Sequence, residues 1–498
     1  MSSNPGTAPP SATPPPLDGA SAPTRTRPEH GATTGAPLDD PVAQIAARHA
    51  ASHPRPPRHR LLALLGPAFV AAVAYVDPGN VAANITAGAR YGYLLVWVLV
   101  AANAMAVLIQ YQSAKLGIVT GRSLPQVLGE RLGRPARLAY WAQAELVAAA
   151  TDLAEVIGGA IALNLLLGLP LLTGGLIVGV ASMALLALQE RRSQRTFEGV
   201  VVTLLIVVTI GFLGGLVVAP PDWGGTLAGL VPRLEGTGSL LVAASMLGAT
   251  VMPHAIYLHS SLVRDHNHEL SAAGEASQAV GATSTSGAPQ EHPGPGKTVY
   301  AACTAPTATT GPGSTSRLLH ATRVDVVWAL IVAGAVNIAL LLLAASALAG
   351  ARGTDTIEGA HAAITASLGP AVGTVFAIGL LASGLASTSV GAYAGSEIMA
   401  GLLHTRVPLL LRRGVTLVPA LVIIAVGAEP TWALVLSQVV LSFGIPLAVV
   451  PLMRLTGSAR VMGQWRDSAP LRWSARAAAA LIVALNLALV SLTLSGQA

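Results

Sequence analysis

Eleven stretches of roughly twenty mostly apolar residues recur along this chain, near 61–85, 92–113, 138–163, 171–188, 198–219, 238–263, 324–349, 371–402, 407–427, 431–453 and 475–495. A helix needs about 20 such residues to cross the hydrocarbon core of a bilayer. The pattern therefore predicts an all-α polytopic membrane protein embedded in lipid. Composition agrees. Charged residues are 10% of the 498 and hydrophobic residues 52%, whereas a soluble domain carries about 25% charged residues.

The net charge of +6 is spread over many short loops instead of forming a patch, which argues against a nucleic-acid partner and for topology determinants. With the N-terminus inside, Arg55, Arg58 and Arg60 fall on the cytoplasmic side. So do the connections holding Lys115 to Arg137, Arg191 to Arg195, Arg264 to Arg323, Arg406 to Arg413 and Arg454 to Arg476. Only Arg90, Arg233 and Arg352 of the 29 Lys and Arg then lie outside. Eleven crossings put the C-terminus outside, and the expected location is the cytoplasmic membrane, multi-pass.

The first fifty residues hold ten prolines among Ser, Thr, Gly and Ala. Such a segment buries too little apolar surface to offset chain entropy, so residues 1–55 are expected to be a disordered cytoplasmic tail. They lack the basic-then-apolar pattern of a signal peptide. Spans 1–6 occupy 56–265, a low-complexity cytoplasmic insertion 266–320, and spans 7–11 the remainder, 321–498. The single cysteine, Cys303, sits in that insertion and excludes an internal disulfide or a Cys-rich metal site.

Two spans are interrupted. Span 1 contains "AYVDPGN", in which Pro78 and Gly79 oppose a continuous helix and Asp77 puts a carboxylate at membrane depth. Span 6 reads "SMLGATVMPHAIYLHSSLV", with Pro253 in the middle of the run. These are the first helices of two successive groups of five, and an odd number of crossings inverts the second group. One proline in a membrane helix is ordinarily a kink. Two at corresponding positions of inverted halves, each flanked by ligating residues, point to a transporter site at the midplane. Unwound backbone is tolerated there when it lines a cavity, and its freed carbonyls can coordinate a cation.

Asp77 costs about 2.5–3.5 kcal/mol at a helix centre on insertion scales, and a bound cation or proton would offset that. Asn80 adds an amide oxygen, Met252 a thioether and Ala249 a carbonyl. Hard ions such as Mg²⁺ prefer an all-oxygen shell, whereas a sulfur ligand favours a softer transition metal. Span 3 adds Asp152 and Glu155, three apart and so on one helix face. Arg412 and Arg413 at the start of span 9 are their candidate partners. His254, beside Pro253, has a side chain that can titrate near physiological pH, and His259 follows toward the cytoplasm. These groups outline a proton path that enters at Asp77 and His254 and leaves through Asp152, Glu155 and the two arginines.

The chain also resembles a known family. "DPGN" in span 1 and "MPH" in span 6 are the paired signatures of the Nramp family of proton-coupled manganese and iron importers. The resemblance continues through "LGPAFVAAVAYVDPGNVAANITAGARYGYLL", "TDLAEVIGGAIALNLL", "GLLASGLASTSVGAYAG" and "LSFGIPLAVVPL". It implies a LeuT-like 5+5 inverted repeat with broken helices 1 and 6, plus an eleventh transmembrane helix, working by alternating access. It implies Mn²⁺, Fe²⁺ and H⁺ as substrates and no resident cofactor. The metal ligands it implies are Asp77, Asn80, Met252 and the carbonyls of Ala74 and Ala249. Three positions depart from the family pattern. Gly444 stands where a span-10 glutamine is usual, Leu385 where span 8 has glutamine, and His266 where span 6 ends on arginine. Glu397 in "AGSEIM" is also unusual and reads as a surface acid at a helix end.

Rival readings fare worse. An amino-acid permease of this architecture would present backbone amides to a substrate carboxylate, which Asp77 repels. A membrane metalloenzyme could use Asp152 and Glu155, but the chain has no H-E-x-x-H, G-x-S-x-G or P-loop motif. A metal-responsive sensor would need a folded output domain. A relative of relaxed selectivity that tolerates Mg²⁺ is the alternative within transport.

Overall fold

The computed structural model describes residues 66–191, 194–267, 312–350, 353–354, 356–405 and 407–494. The expected tail, residues 268–311 of the expected insertion and Cys303 lie outside the described residues. Each of the eleven apolar stretches holds helix among the described residues. Among the described residues, seven helices are long and apolar enough to cross a membrane, among them Val96–Thr120, Arg134–Leu167 and Pro370–Leu403.

The first apolar run is split into α1 (Pro67–Val73) and α2 (Pro78–Tyr91). Then come α3 (Val96–Thr120), the short α4 (Leu124–Arg131), α5 (Arg134–Leu167), α6 (Leu171–Arg191) and α7 (Gln194–Val218). After a six-residue helix, α8 (Trp223–Ala228), the sixth run is split into α9 (Gly236–Thr250) and α10 (253–267). The second half continues with α11 (Pro312–Ala347), the short α12 (Ile357–Leu368), α13 (Pro370–Leu403), α14 (Leu409–Ala425) and α15 (Pro430–Thr456). A helical turn, α16 (Ala459–Met462), precedes α17 (Ala469–Leu494). The helix of span 7 reaches back to Pro312, so the boundary expected at 320 falls inside an element.

Glycines set how closely the helices approach, as small residues do at membrane interfaces. A Cβ on Gly384 of α13 would lie 3.1 Å from the Glu155 carbonyl and 3.2 Å from the Gly159 nitrogen of α5. A Cβ on Gly158 would meet the Pro78 ring at 2.3 Å. The turn of α5 that carries Glu155 is therefore pressed against the break in the first helix. The other end of that broken helix is held from outside. The Ala68 N–H, in the first turn of α1, donates to the Asp325 carboxylate of α11 at 3.2 Å. A first-turn N–H has no intrahelical acceptor, and α11 supplies one.

Candidate functional site

Both breaks follow from one backbone rule. In a continuous helix each carbonyl accepts the N–H four residues later, and proline has none to give. Pro78 lies four residues after Ala74, and Pro253 four after Ala249. Each half of the molecule thus frees an alanine carbonyl at its break. The neighbouring carbonyls are already engaged. Asn337 of α11 donates Nδ2 to the Tyr75 carbonyl at 2.8 Å, and Ser383 of α13 donates to the Val76 carbonyl at 2.5 Å. Asn337 also accepts from Asn84 Nδ2 at 2.8 Å, tying α11 to α2.

Asp77 is the N-cap of α2. Its Oδ1 accepts the Asn80 backbone N–H at 2.9 Å and the Asn80 side-chain Nδ2 at 2.6 Å. The same Nδ2 donates to the Ala249 carbonyl at 3.0 Å, across 169 residues of sequence. One amide thereby joins the two breaks. Its own Oδ1 is buried and has no partner among the described residues. The amide N–H₂ stands between a carboxylate and a freed carbonyl, where a cation would stand. Turning the amide over would bring a third oxygen to face the same point. Asp77 is 1% exposed, Asn80 0% and Met252 0%, so the centre is closed to solvent. Met252 belongs to the same buried cluster as Ala74, Tyr75 and Val76. The C-terminal ends of α1 and α9 turn the negative ends of their helix dipoles toward this point. No group of three or more His, Cys, Asp or Glu able to hold a metal exists among the described residues. The centre is one carboxylate with neutral donors.

The acids of span 3 are buried in the bundle interior, as polar groups at membrane depth are expected to be. Asp152 pairs with Arg413, Oδ1 to Nη1 at 2.7 Å, and Arg413 Nε donates to Ser182 Oγ at 3.0 Å. Glu155 accepts a short hydrogen bond from Ser387 of α13, and its second oxygen has no partner among the described residues. Neither nitrogen of the buried His254 ring has a hydrogen-bond partner among the described residues. His259 is engaged. Its Nδ1 lies 2.8 Å from Gln110 Oε1, and Gln110 Nε2 donates to the Tyr75 hydroxyl at 2.7 Å, back at the first break.

Three expectations change. The two arginines do not act together: Arg412 turns from the span-3 pair to Glu145, Nη2 to Oε1 at 2.8 Å, and donates Nη1 to the Ala392 carbonyl. Adjacent residues on a helix point about 100° apart, so one faces Asp152 and the other does not. Span 10 does bring an amide to the centre. Gln438, six residues before Gly444, lies so close to Gly79 that a Cβ there would be 2.1 Å from its Nε2. Gly444 packs elsewhere, with Val147, Gln143 and Pro253 filling the space a side chain would need. Glu397 is no surface acid; it is partly buried and paired with Arg264 at 3.1 Å. Leu385 is partly buried on α13, where its carbonyl accepts from Ser389, and His266 is the penultimate described residue of α10. Gln438 and Glu145 are the residues that sequence reasoning missed. A polar side chain in each apolar run was the available signal.

Two broken helices at corresponding positions, meeting through one amide in a closed interior, define a membrane transporter of the LeuT-like inverted-repeat fold. The sequence profile of the Nramp family, described as natural resistance-associated macrophage protein-like, matches residues 68–492. The divalent metal cation transporter MntH of Mycobacterium tuberculosis H37Rv is 54% identical over 433 residues, covering 87% of this chain and 92% of that protein. MntH of Bacillus subtilis is 42% identical over 433 residues, covering 86% and 92%. A solved manganese transporter of Eremococcus coleocola, crystallised with an aromatic bis-isothiourea substituted compound, superposes with a TM-score of 0.73. It is 30% identical and covers 86% of each chain. Mhp1, a nucleobase-cation-symport-1 transporter, shares the fold at a TM-score of 0.51 and 13% identity, covering 86% of this chain and 91% of that one. The chain belongs to the Nramp family.

Proposed function

We propose that this protein imports divalent transition metal ions, Mn²⁺ and Fe²⁺ among them, across the cytoplasmic membrane in symport with protons. The N-terminus lies in the cytoplasm and the C-terminus outside. One observation carries the reading: the Asn80 amide bridges the Asp77 carboxylate and the Ala249 carbonyl, so both breaks address a single point. Asp77, Asn80, the Met252 sulfur and the carbonyls of Ala74 and Ala249 ligate the metal, with Gln438 beside them. The relatives and the solved neighbour are named as divalent metal or manganese transporters, which supports the choice of cargo.

A donor set with one carboxylate suits a carrier that must also release. Its single sulfur favours Mn²⁺ and Fe²⁺ over Mg²⁺. Met252→Ala is expected to lower the Mg²⁺ concentration that half-inhibits Mn²⁺ uptake, on the order of tenfold, by leaving an oxygen-only shell. Competition curves in proteoliposomes read this out.

Protons take Asp77 and His254, then Glu155 and Asp152, with Arg413 holding Asp152 and Arg412 holding Glu145 at the next step. His259, bound to Gln110, ties this route to the first break. Glu155→Gln removes a span-3 acid while keeping the Ser387 contact. It is expected to abolish metal-driven proton entry and leave Mn²⁺ affinity nearly unchanged. The check is intravesicular pH recorded beside calorimetric binding. Lost binding with intact proton flux would refute the role given to Glu155.

A further inference from the structure

We infer that Arg264 and Glu397 form the charged latch that holds the cytoplasmic end of the site closed. The side named rests on the orientation proposed above; the pairing rests on the geometry alone.

α10 starts immediately after Met252, so its first residue is joined to a proposed metal ligand. Arg264 lies eleven residues beyond Pro253, about 16 Å along the axis at 1.5 Å per residue. There Arg264 Nη2 meets Glu397 Oε2 at 3.1 Å and Asp265 Oδ1 at 2.7 Å. The Arg264 side chain is 13% exposed and that of Glu397 20%. The pair is thus largely withdrawn from water, and Arg264 Nε also donates to Asp265 at 2.7 Å.

Most other polar bonds of α10 run to different helices, although the Tyr257 hydroxyl lies 3.2 Å from the Tyr140 hydroxyl of α5 and 3.4 Å from the Leu447 carbonyl of α15. Ser113 of α3 donates to the Ile256 carbonyl at 2.5 Å, Gln110 of α3 holds His259 at 2.8 Å, and the Leu124 N–H of α4 donates to Ser260 Oγ at 2.9 Å. α10 is therefore fastened along its middle to α3 and α4. Glu397 belongs to α13, which also holds the first break through Ser383 and the span-3 acid through Ser387. α4 rests on α13 through closely packed backbone at Gly129 and Gly401, where a Cβ on Gly129 would meet the Gly401 carbonyl at 2.3 Å. α3, α4 and α10 thus face α13 with α5, meeting them through the Gly129–Gly401 packing and the neutral Tyr257–Tyr140 contact. The Arg264–Glu397 pair is a charged bond across that division. Opening the centre at this end separates the groups and breaks the pair. Arg264 and Glu397 are positioning residues, since neither touches the cargo.

The test uses full-length protein in inside-out vesicles, with Cys303 replaced by alanine and Ser261→Cys as reporter. Ser261 lies one turn from Arg264, fully buried, and its hydroxyl has no partner among the described residues. Thiol labelling is timed with a membrane-impermeant maleimide. Arg264→Gln and Glu397→Gln are each expected to speed labelling about three- to tenfold, the range an ion pair of this burial can shift an equilibrium. The charge swap, Arg264→Glu with Glu397→Arg, made together with Asp265→Asn so that no second carboxylate faces the new acid, is expected to restore slow labelling, because the pair is re-formed. Equal labelling in parent and single variants overturns the proposal, as does a swap no slower than the singles. Labelling only from the opposite face overturns the side assigned. Should Asp77→Ala leave Mn²⁺ transport intact while the swap rescues labelling, the cargo reading fails and the latch stands.

Discussion

Replacing Asp77 with alanine is expected to reduce Mn²⁺ binding and uptake by at least about 100-fold, because it removes the one carboxylate among the proposed ligands, the rest of which are neutral donors. The protein should still fold. Asp77 caps α2, but Pro78 at the first helical position keeps the start of that helix pre-set. Breaking the bridge also leaves the Asn80 amide with the Ala249 carbonyl as an acceptor. Size-exclusion elution with a parent-like thermal midpoint, together with absent calorimetric heat on Mn²⁺ addition, is the expected result. Mn²⁺ binding at parent affinity would move the site away from the breaks.

Arg413→Leu is expected to act on stability instead. Its guanidinium is fully buried against Asp152, with side-chain exposures of 0% and 2%. Removing one partner of such a pair leaves an uncompensated buried charge and costs about 3–5 kcal/mol. The thermal midpoint in detergent should fall clearly. The double variant with Asp152→Asn should recover most of the loss, because no charge is then stranded. Failure of the double variant to recover stability would mean that Arg413 supports the fold through its contact with Ser182 or through packing, and not through Asp152. Arg412→Leu, whose partner Glu145 is nearer the surface, should cost less.

Much of this site was legible in the sequence because membrane helices punish irregularity. A proline, a glycine or an acid in an apolar run needs a compensating reason, and Asp77, Pro78, Asp152, Glu155 and Pro253 all stand out for that cause. The spacing of Ala74 to Pro78 and of Ala249 to Pro253 is equally visible once the i to i+4 rule is applied. Partner choice was hidden. Arg412 and Arg413 are neighbours in sequence, and only the rotation of α14 against α5 and α13 sends one to Asp152 and the other to Glu145. The amide that span 10 brings to the centre was sought at position 444, where packing leaves no room, although Gln438 lay less than two turns earlier. Glu397 was read as a surface acid because its partner is 133 residues away. The short helices escaped a search tuned to spans of about 20 residues. Yet α4 begins with the capping-box pair Ser123 and Gln126, whose side-chain oxygen accepts the Ser123 N–H at 2.9 Å, a signal that short-range reasoning can find.

One transition-metal ion is proposed to bind between the two breaks and to cross with protons. The most direct test is Mn²⁺ uptake by proteoliposomes at acidic external pH, with a large excess of Mg²⁺ and a pH probe inside. Uptake is expected to persist against Mg²⁺ and to be accompanied by internal acidification. Uptake abolished by Mg²⁺, or unaccompanied by proton entry, would contradict the proposal.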